Sequence, residues 1–332
     1  MSKANASQLD YSSPRPWHAL VLGRAGMDLY PEPDDCKIQD ALTFTSDIGG
    51  SGGNIAVAMA KAGARVGLIS ALSDDAVGKF VRRRLQQTGV DVSLTINTSG
   101  NERTSLALAE VRNTDCEVVM YRNDAADLKL QCTDPVKLAV TDSSNLVITG
   151  TSLIDPDSRR HTLEIMTHAN KSGCQVWLDL DYRAWNWPSL EATRAVYNDA
   201  VALAQVLIGN DEEFAVLCDD LDAQIEQCQR RGQVMVLKRG ARGASLYAGK
   251  ARLNSGIYAL DPLKPYGSGD AFLGNLLVHY MVSGDWLEAV DAGSAAAALV
   301  VSQRGCASAM PTPDQIKSLQ QRQTMNPAAK WS

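Results

Sequence analysis

Gly267-Ser268-Gly269-Asp270 stands directly before Ala271-Phe272-Leu273, the start of an apolar helical stretch. Two glycines let the backbone approach a ligand closely, and the helix N-terminus behind them aims free N–H groups at it. The segment is an anion site by construction. Asp270, inside the first turn, gains from the helix macrodipole and stays ionised, so it can accept a proton. Read more plainly, the same residues are a glycine-rich loop with an aspartate cap. A second cluster, Gly49-Gly50-Ser51-Gly52-Gly53-Asn54, also opens a helix, or is a flexible turn ahead of an asparagine cap.

Neither cluster is a G-x-G-x-x-G fingerprint, because Phe272 and Ile55 stand at the third glycine position. A phosphate-binding G-x-x-x-x-G-K-[ST] loop is absent too, since Gly249-Lys250 is followed by Ala251. Nicotinamide-dependent oxidoreduction and a Walker-type ATPase both lose support.

Four segments in order resemble the ribokinase-like (PfkB family) carbohydrate kinases, over about Ala19 to Pro313. Gly49 to Ala58, with Lys61-Ala62-Gly63 closing the helix, is similar to the first family signature, and Gly267 to Phe272 to the second. Asn210-Asp211-Glu212-Glu213 resembles the N-x-x-E motif, and Lys238-Arg239-Gly240-Ala241-Arg242-Gly243 the nucleotide-side turn. Before the second signature many members carry Asp or a Thr-rich stretch, whereas this chain reads Lys264-Pro265-Tyr266. That variant resembles the 5-dehydro-2-deoxygluconokinase branch of inositol catabolism. Gly23 to Tyr30, Arg103 to Ser105, Tyr121 to Asp127, Leu178 to Arg183 and Cys306 to Thr312 echo the same branch. The neighbouring branch acts on 2-keto-3-deoxygluconate.

The resemblance implies ATP-dependent phosphorylation of a sugar acid, 5-dehydro-2-deoxy-D-gluconate on its 6-hydroxyl, with 2-keto-3-deoxygluconate or another sugar as the alternative. A non-catalytic sugar-acid-binding regulator is the remote one. Asp270 would be the base, and the N–H groups of Gly267, Ser268, Gly269 and Asp270 would cradle the γ-phosphoryl group. Asp28, Gly49, Gly50 and Asn54 would face the sugar. Guanidinium can grip a carboxylate bidentately, whereas lysine supplies only a compact charge. Arg122 ends an alternating segment and Arg183 a continuous apolar one, so both are expected at strand C-termini, where open α/β sheets bind ligands. A salt bridge is the simpler reading of either arginine alone. Lys238, Gly240, Gly243 and Asn210 would line the ATP side. Asn210 and Glu213 would orient Mg²⁺ through water, or be only an N-cap and a negative first turn. A monovalent cation such as K⁺ near Gly305 to Ala309 is a family possibility.

These residues need a frame that brings distant turns together. His18 to Leu22, Val66 to Ala71, Asn145 to Gly150, Gln175 to Leu180, Gln205 to Gly209 and Val234 to Lys238 read as buried strands. Helical stretches separate them: Ala56 to Ala62, Ala76 to Thr88, Pro156 to Ser172 and Leu190 to Ala204, then Asp270 to Ser283 and Asp285 to Gln303. That alternation means an α/β, doubly wound, mostly parallel sheet flanked by helices. Thr104 to Val111 and Glu117 to Tyr121 alternate like half-exposed strands and, with residues 25–48 and 100–124, form a small β-sheet lid. The Pro- and Asp-rich stretch Tyr30 to Asp40 reads as punctuation. The organisation expected is a polar tail over 1–16, a kinase domain over 17–313, and a C-terminal helix and tail over 314–332. The lid edge needs covering, which suggests a homodimer through the lid sheet.

Composition agrees. Of 332 residues, 45% are apolar and 21% charged, ordinary for a globular enzyme. Thirty-two Lys and Arg against 38 Asp and Glu leave −6, which disfavours nucleic acid as a partner. The longest apolar run, Ala295 to Val301, is far short of the roughly 20 residues that span a bilayer. Met1 to Pro16 shows no apolar signal core. Seven scattered cysteines without C-x-x-C, and four histidines without H-E-x-x-H, point to a reducing cytoplasm and away from zinc.

Overall fold

A computed structural model describes residues 15–331; the polar tail lies almost wholly outside them. Strands β1 (Ala19–Leu22), β2 (Gly26–Glu32), β3 (Thr43–Gly49), β4 (Val66–Ser73), β5 (Thr95–Thr98), β6 (Leu106–Ala109) and β7 (Val118–Tyr121) occupy the first third. Then come β8 (Asn145–Thr149), β9 (Gln175–Asp179), β10 (Val206–Asn210), β11 (Val234–Lys238), β12 (Ala244–Ala248), β13 (Ala251–Ser255) and β14 (Lys330–Trp331). The helices are α1 (Ser51–Lys61), α2 (Ala76–Gln87), α3 (Asp134–Thr141), α4 (Pro156–Lys171), α5 (Leu190–Val201), α6 (Asp211–Leu217), α7 (Leu221–Arg230), α8 (Ser268–Ser283), α9 (Trp286–Val301) and α10 (Pro313–Arg322).

The main sheet runs β14-β13-β12-β11-β10-β9-β8-β1-β4-β5. From β5 to β11 every pairing is parallel, and the last three strands add antiparallel. The chain runs from β1 to β4 on one side and returns to β8 on the other. The order therefore reverses beside β1, which opens a crevice at the strand C-termini. Both faces are covered. Ala19 and Val21 join one apolar cluster while Leu20 and Leu22 join the other, so the period-2 alternation survives within a fully buried strand. Helix α8 is buried from Ala271 to Val278, as a helix inside a large core, and its one polar side chain in that stretch, Asn275, donates back to the Ala271 carbonyl at 3.0 Å. Truncating Leu20 to Ala would cost roughly 2–5 kcal/mol.

The lid is a separate four-stranded sheet, β3-β2-β6-β7. The punctuation expected at Tyr30 is corrected: Tyr30 to Glu32 complete β2. Proline is tolerated there because β6 pairs with β2 only as far as Leu29, so Pro31 owes that side no N–H. Tyr30 is buried and stacks on Tyr266 at 6.3 Å, tying the lid to the loop before α8.

At the C-terminus, Thr312 and Gln315 form a capping box, so α10 begins at Pro313 and position 314 already lies in its first turn. The last residues add to the main sheet, with Trp331 opposite Leu253. Among the described residues no helix is long and apolar enough to cross a membrane.

Candidate active site

Helices α1 and α8 bring the two glycine clusters together. They cross so closely that a Cβ on Gly274 would lie 2.6 Å from the Ala58 Cβ. Their first turns therefore meet, and Asn54 Nδ2 donates to Asp270 Oδ2 at 2.8 Å across 216 residues of sequence. Gly267 caps α8 with φ +86°, a left-handed turn that suits glycine. Burial pushes the Asp270 carboxyl up to about 6, and Asp181 adds to this, while Asn54, Lys238 and Arg183 oppose it. The group is ionised at neutral pH yet far more basic than an ordinary carboxylate, which suits a general base.

Asp28 sits on β2 opposite Asp47 of β3. A Cβ at Gly49 would lie 1.7 Å from Asp28 Oδ1, so only glycine leaves that carboxylate room. Tyr30 Oη donates to Asp28 Oδ2 at 3.2 Å. Asp28 Oδ1 and Asn54 Oδ1 are buried without a partner. A buried acceptor without a donor is unusual in a folded protein, and hydroxyl donors of a ligand could satisfy these two. Burial pushes Asp28 up to about 6, against Arg24 and the Tyr30 hydrogen bond.

Both predicted arginines are engaged. Arg122 follows a lid strand rather than a strand of the main sheet, and it pairs with Asp127 and donates to the Thr151 carbonyl at 3.1 Å. Those side chains are 9% and 3% exposed, so the pair is buried. Beside it lies Arg24, which donates to Ser105 Oγ at 3.0 Å. Burial lowers the Arg24 pKa and Arg122 lowers it further, a sign that two guanidinium groups face one region. Arg183 lies 2.8 Å from Asp181 and 3.5 Å from Glu213, with its side chain 41% exposed. Asp181 is the main reason its pKa rises.

Beside the glycine turn lies a cavity of about 500 Å³, lined by Gly240, Gly243, Tyr258, Pro262, Phe272 and Ala298, with Ser268 and Gly269 at one end and Asn113 of the β6–β7 lid loop at its margin. It is largely apolar, the shape for a planar ring whose charged end meets the glycine loop. Gly243 has φ +80°, and a Cβ there would meet the Ser255 carbonyl at 2.0 Å. Lys238 ion-pairs with Asp179 at 3.0 Å, and its ammonium would lie 3.3 Å from a Cβ on Gly269. Burial works to lower this lysine, but Asp179 and Glu213 outweigh it and the pKa rises.

Asn210 and Glu213 form a reciprocal capping box at the start of α6, at 2.9 and 2.8 Å. The cap is therefore real, and Glu213 still turns its other oxygen toward Arg183. Among the described residues no three metal-ligating side chains converge on one point. The oxygen donors present fit a hard cation that keeps its waters and is held mainly by phosphates.

Sequence reasoning missed Asp179, Asp181, Arg24 and Lys264 as members of the site. The signal was available in Leu178-Asp179-Leu180-Asp181, carboxylates at the C-terminal end of an otherwise apolar strand.

Residues 18–313 match the family model described as pfkB family carbohydrate kinase. The chain is 38% identical over 308 residues, 90% of its length and 93% of the relative's, to the 5-dehydro-2-deoxygluconokinase of Photobacterium profundum. Among solved structures it is similar to fructokinase with bound ATP from Xylella fastidiosa, with a TM-score of 0.81, 25% identity and coverage of 92% and 98%. It is also similar to a double-mutant fructokinase from Vibrio cholerae O395 in a fructose-, ADP- and potassium-bound form, with a TM-score of 0.79, 24% identity and coverage of 92% and 99%.

Proposed function

The chain belongs to the pfkB family of carbohydrate kinases, and on that premise we propose that it transfers the γ-phosphoryl group of ATP to the 6-hydroxyl of 5-dehydro-2-deoxy-D-gluconate. The observation that carries the reading is the Asn54–Asp270 contact, which puts a carboxylate of raised basicity between a sugar-sized polar face and a nucleotide-sized cavity. The identity of the acid rests on the name of the 38% identical relative.

In this reading Asp28 and Asn54 accept hydrogen bonds from sugar hydroxyls, and the Arg122 and Arg183 side of the site holds the acid's carboxylate, with Arg24 beside it. Asp270 takes the proton of the 6-hydroxyl as its oxygen attacks the γ-phosphorus in line. The bond to the β-phosphate oxygen breaks and ADP leaves. Charge builds on the transferring group, so positioning and preorganised N–H donors do most of the work. Gly267 to Asp270 supply those donors, and Lys238 stands next to them. Gly240 and Gly243 line the nucleotide's side. Mg²⁺, when bound with the nucleotide, neutralises phosphate charge; Asn210 and Glu213 would hold its waters.

The lid leaves Leu42, Phe44, Val118 and Tyr121 exposed, at 96%, 36%, 50% and 58%, which supports a homodimer closed across the lid. Light scattering that reports a monomer at micromolar concentration would refute the dimer. All seven cysteines are unpaired, in keeping with a reducing cytoplasm.

The deciding experiment measures ADP release with Mg-ATP and each of two acids, 5-dehydro-2-deoxygluconate and 2-keto-3-deoxygluconate. A higher kcat/KM on the first is expected, because buried donors placed for one carbonyl lose their partner when it moves. Preference for the second overturns the substrate but not the kinase. No ADP with any sugar acid overturns both.

A further inference from the structure

Lys264 is the one buried lysine among the described residues with no exposed surface. No carboxylate pairs with it directly. Its Nζ donates to the backbone carbonyls of Tyr266 at 2.9 Å and Val300 at 3.1 Å. The first belongs to the loop that delivers the catalytic glycines, the second to the end of α9. The ammonium also lies 5.0 Å from the Tyr266 ring centroid and 3.5 Å from where a Cβ on Gly267 would stand. Backbone bonds run the same way, from Leu263 N to the Val301 carbonyl at 2.7 Å. A cation therefore sits in a carbonyl cage directly behind the anion-binding turn.

The nearby carbonyls are also taken. Lys61 donates to Ala307, Ser308 and Met310, at 3.3, 2.9 and 2.8 Å, and Asp47 accepts the N–H groups of Cys306 and Ser308. This loop is the segment where the family resemblance implies a possible monovalent cation. Its Ala307 and Ser308 carbonyls are met by the chain's own Lys61 ammonium.

We propose that the Lys264 ammonium is a built-in monovalent cation, holding the 264–267 turn in its anion-binding form, so that the enzyme needs no added K⁺. An ammonium and K⁺ are similar in size and charge, and both are satisfied by carbonyl oxygens. Tethering one covalently removes the entropy of capturing it from solution. Burial lowers the lysine's pKa, while the Cys306 thiol and the Asp270, Asp47 and Asp28 carboxylates favour its charged form. Lys264 touches no reacting atom in this arrangement. It is a positioning residue, and the assignment rests on the kinase reading above.

The test compares wild type, Lys264→Ala and Lys264→Met in buffers whose only cations besides Mg²⁺ are choline, K⁺, NH₄⁺ or Li⁺ at constant ionic strength. Wild-type kcat should not change between choline and K⁺. Lys264→Ala should lose roughly 10²-fold in kcat, as when one preorganised transition-state contact is removed. Saturating K⁺ or NH₄⁺, but not Li⁺ or choline, should restore it by about tenfold or more, and should raise the variant's Tm, because an ion bound only by the folded state stabilises it. Lys264→Met fills the cage without charge and should show neither rescue. Activation of the wild type by K⁺ overturns the proposal, even if the variants do not fold. A folded Lys264→Ala whose Tm ignores K⁺ and NH₄⁺ also overturns it. The Tm arm requires no turnover, so its failure is distinguishable from failure of the kinase assignment.

Discussion

Replacing Asp270 with Asn is expected to make a poorer enzyme and a more stable protein. The side chain keeps its shape, and its carbonyl oxygen can still accept the Asn54 Nδ2 hydrogen bond of 2.8 Å. What changes is charge. In the folded protein the carboxyl titrates near 6 rather than 3.8, chiefly through burial. Each unit is worth about 1.4 kcal/mol, so keeping Asp270 ionised costs the fold ~3 kcal/mol, a ceiling because the side chain faces an open cleft. The folded state holds this proton more tightly than the unfolded chain. The penalty is therefore complete above about 6 and gone below 3.8. Unfolding entropy of ~2.1 cal/mol/K per residue over 332 residues converts ~3 kcal/mol into a Tm gain of about 4 °C. Scanning calorimetry of both proteins without ligand should show that gain at pH 8 and little of it at pH 4. In the ADP-release assay kcat should fall by roughly 10²–10⁴, the usual contribution of a positioned base. A variant that keeps more than a tenth of wild-type turnover removes Asp270 from the role of base. A variant less stable than wild type at pH 8 refutes the charge argument.

The kcat/KM profile should decline as pH drops through about 6, with a slope of up to two protons because Asp28 and Asp270 both titrate there; in Asp28→Asn the limb should become a one-proton step, and an unchanged slope would count against this pairing. Gly49→Ala should abolish sugar-acid binding while leaving ATP binding within a few-fold, as calorimetric titration can check, because the new methyl would stand 1.7 Å from Asp28 Oδ1. Arg122→Ala strands the buried Asp127, whose Oδ1 already lacks a partner, and should cost roughly 3–5 kcal/mol in urea unfolding; a loss under ~1 kcal/mol would mean that solvent reaches the pair. Arg183→Ala should raise KM for the acid far more than KM for ATP, and the reverse pattern would assign this arginine, which sits against Asp181 and Glu213, to the phosphates.

Much of this was legible along the chain. Strands such as Val66–Ser73 and Gln175–Asp179 are local apolar runs, and α8 announces itself by glycines followed by a mostly apolar stretch, so burial and helix starts could be read from neighbours in sequence. The glycine clusters carried the anion site for the same reason, since close backbone approach is a property of the residue itself. The lid strand through Pro31 was hidden, because a proline's acceptability depends on which strand lies beside it. So was the last strand, whose two residues have no pattern until β13 offers an edge.

The residue types and their order therefore determined the α/β alternation, the two glycine turns and the presence of a carboxylate at the head of α8. Tertiary structure alone decided what that carboxylate is worth. Its basicity comes from burial, and its orientation from Asn54, 216 residues away, brought within 2.8 Å by a helix crossing that Gly274 permits. It likewise decided that Arg122 answers Asp127, that Lys238 answers Asp179, and that Lys264 answers carbonyl oxygens and a tyrosine ring rather than a carboxylate. A charge's partners are set by distance and local dielectric, and neither quantity is encoded in the spacing of residues along a chain.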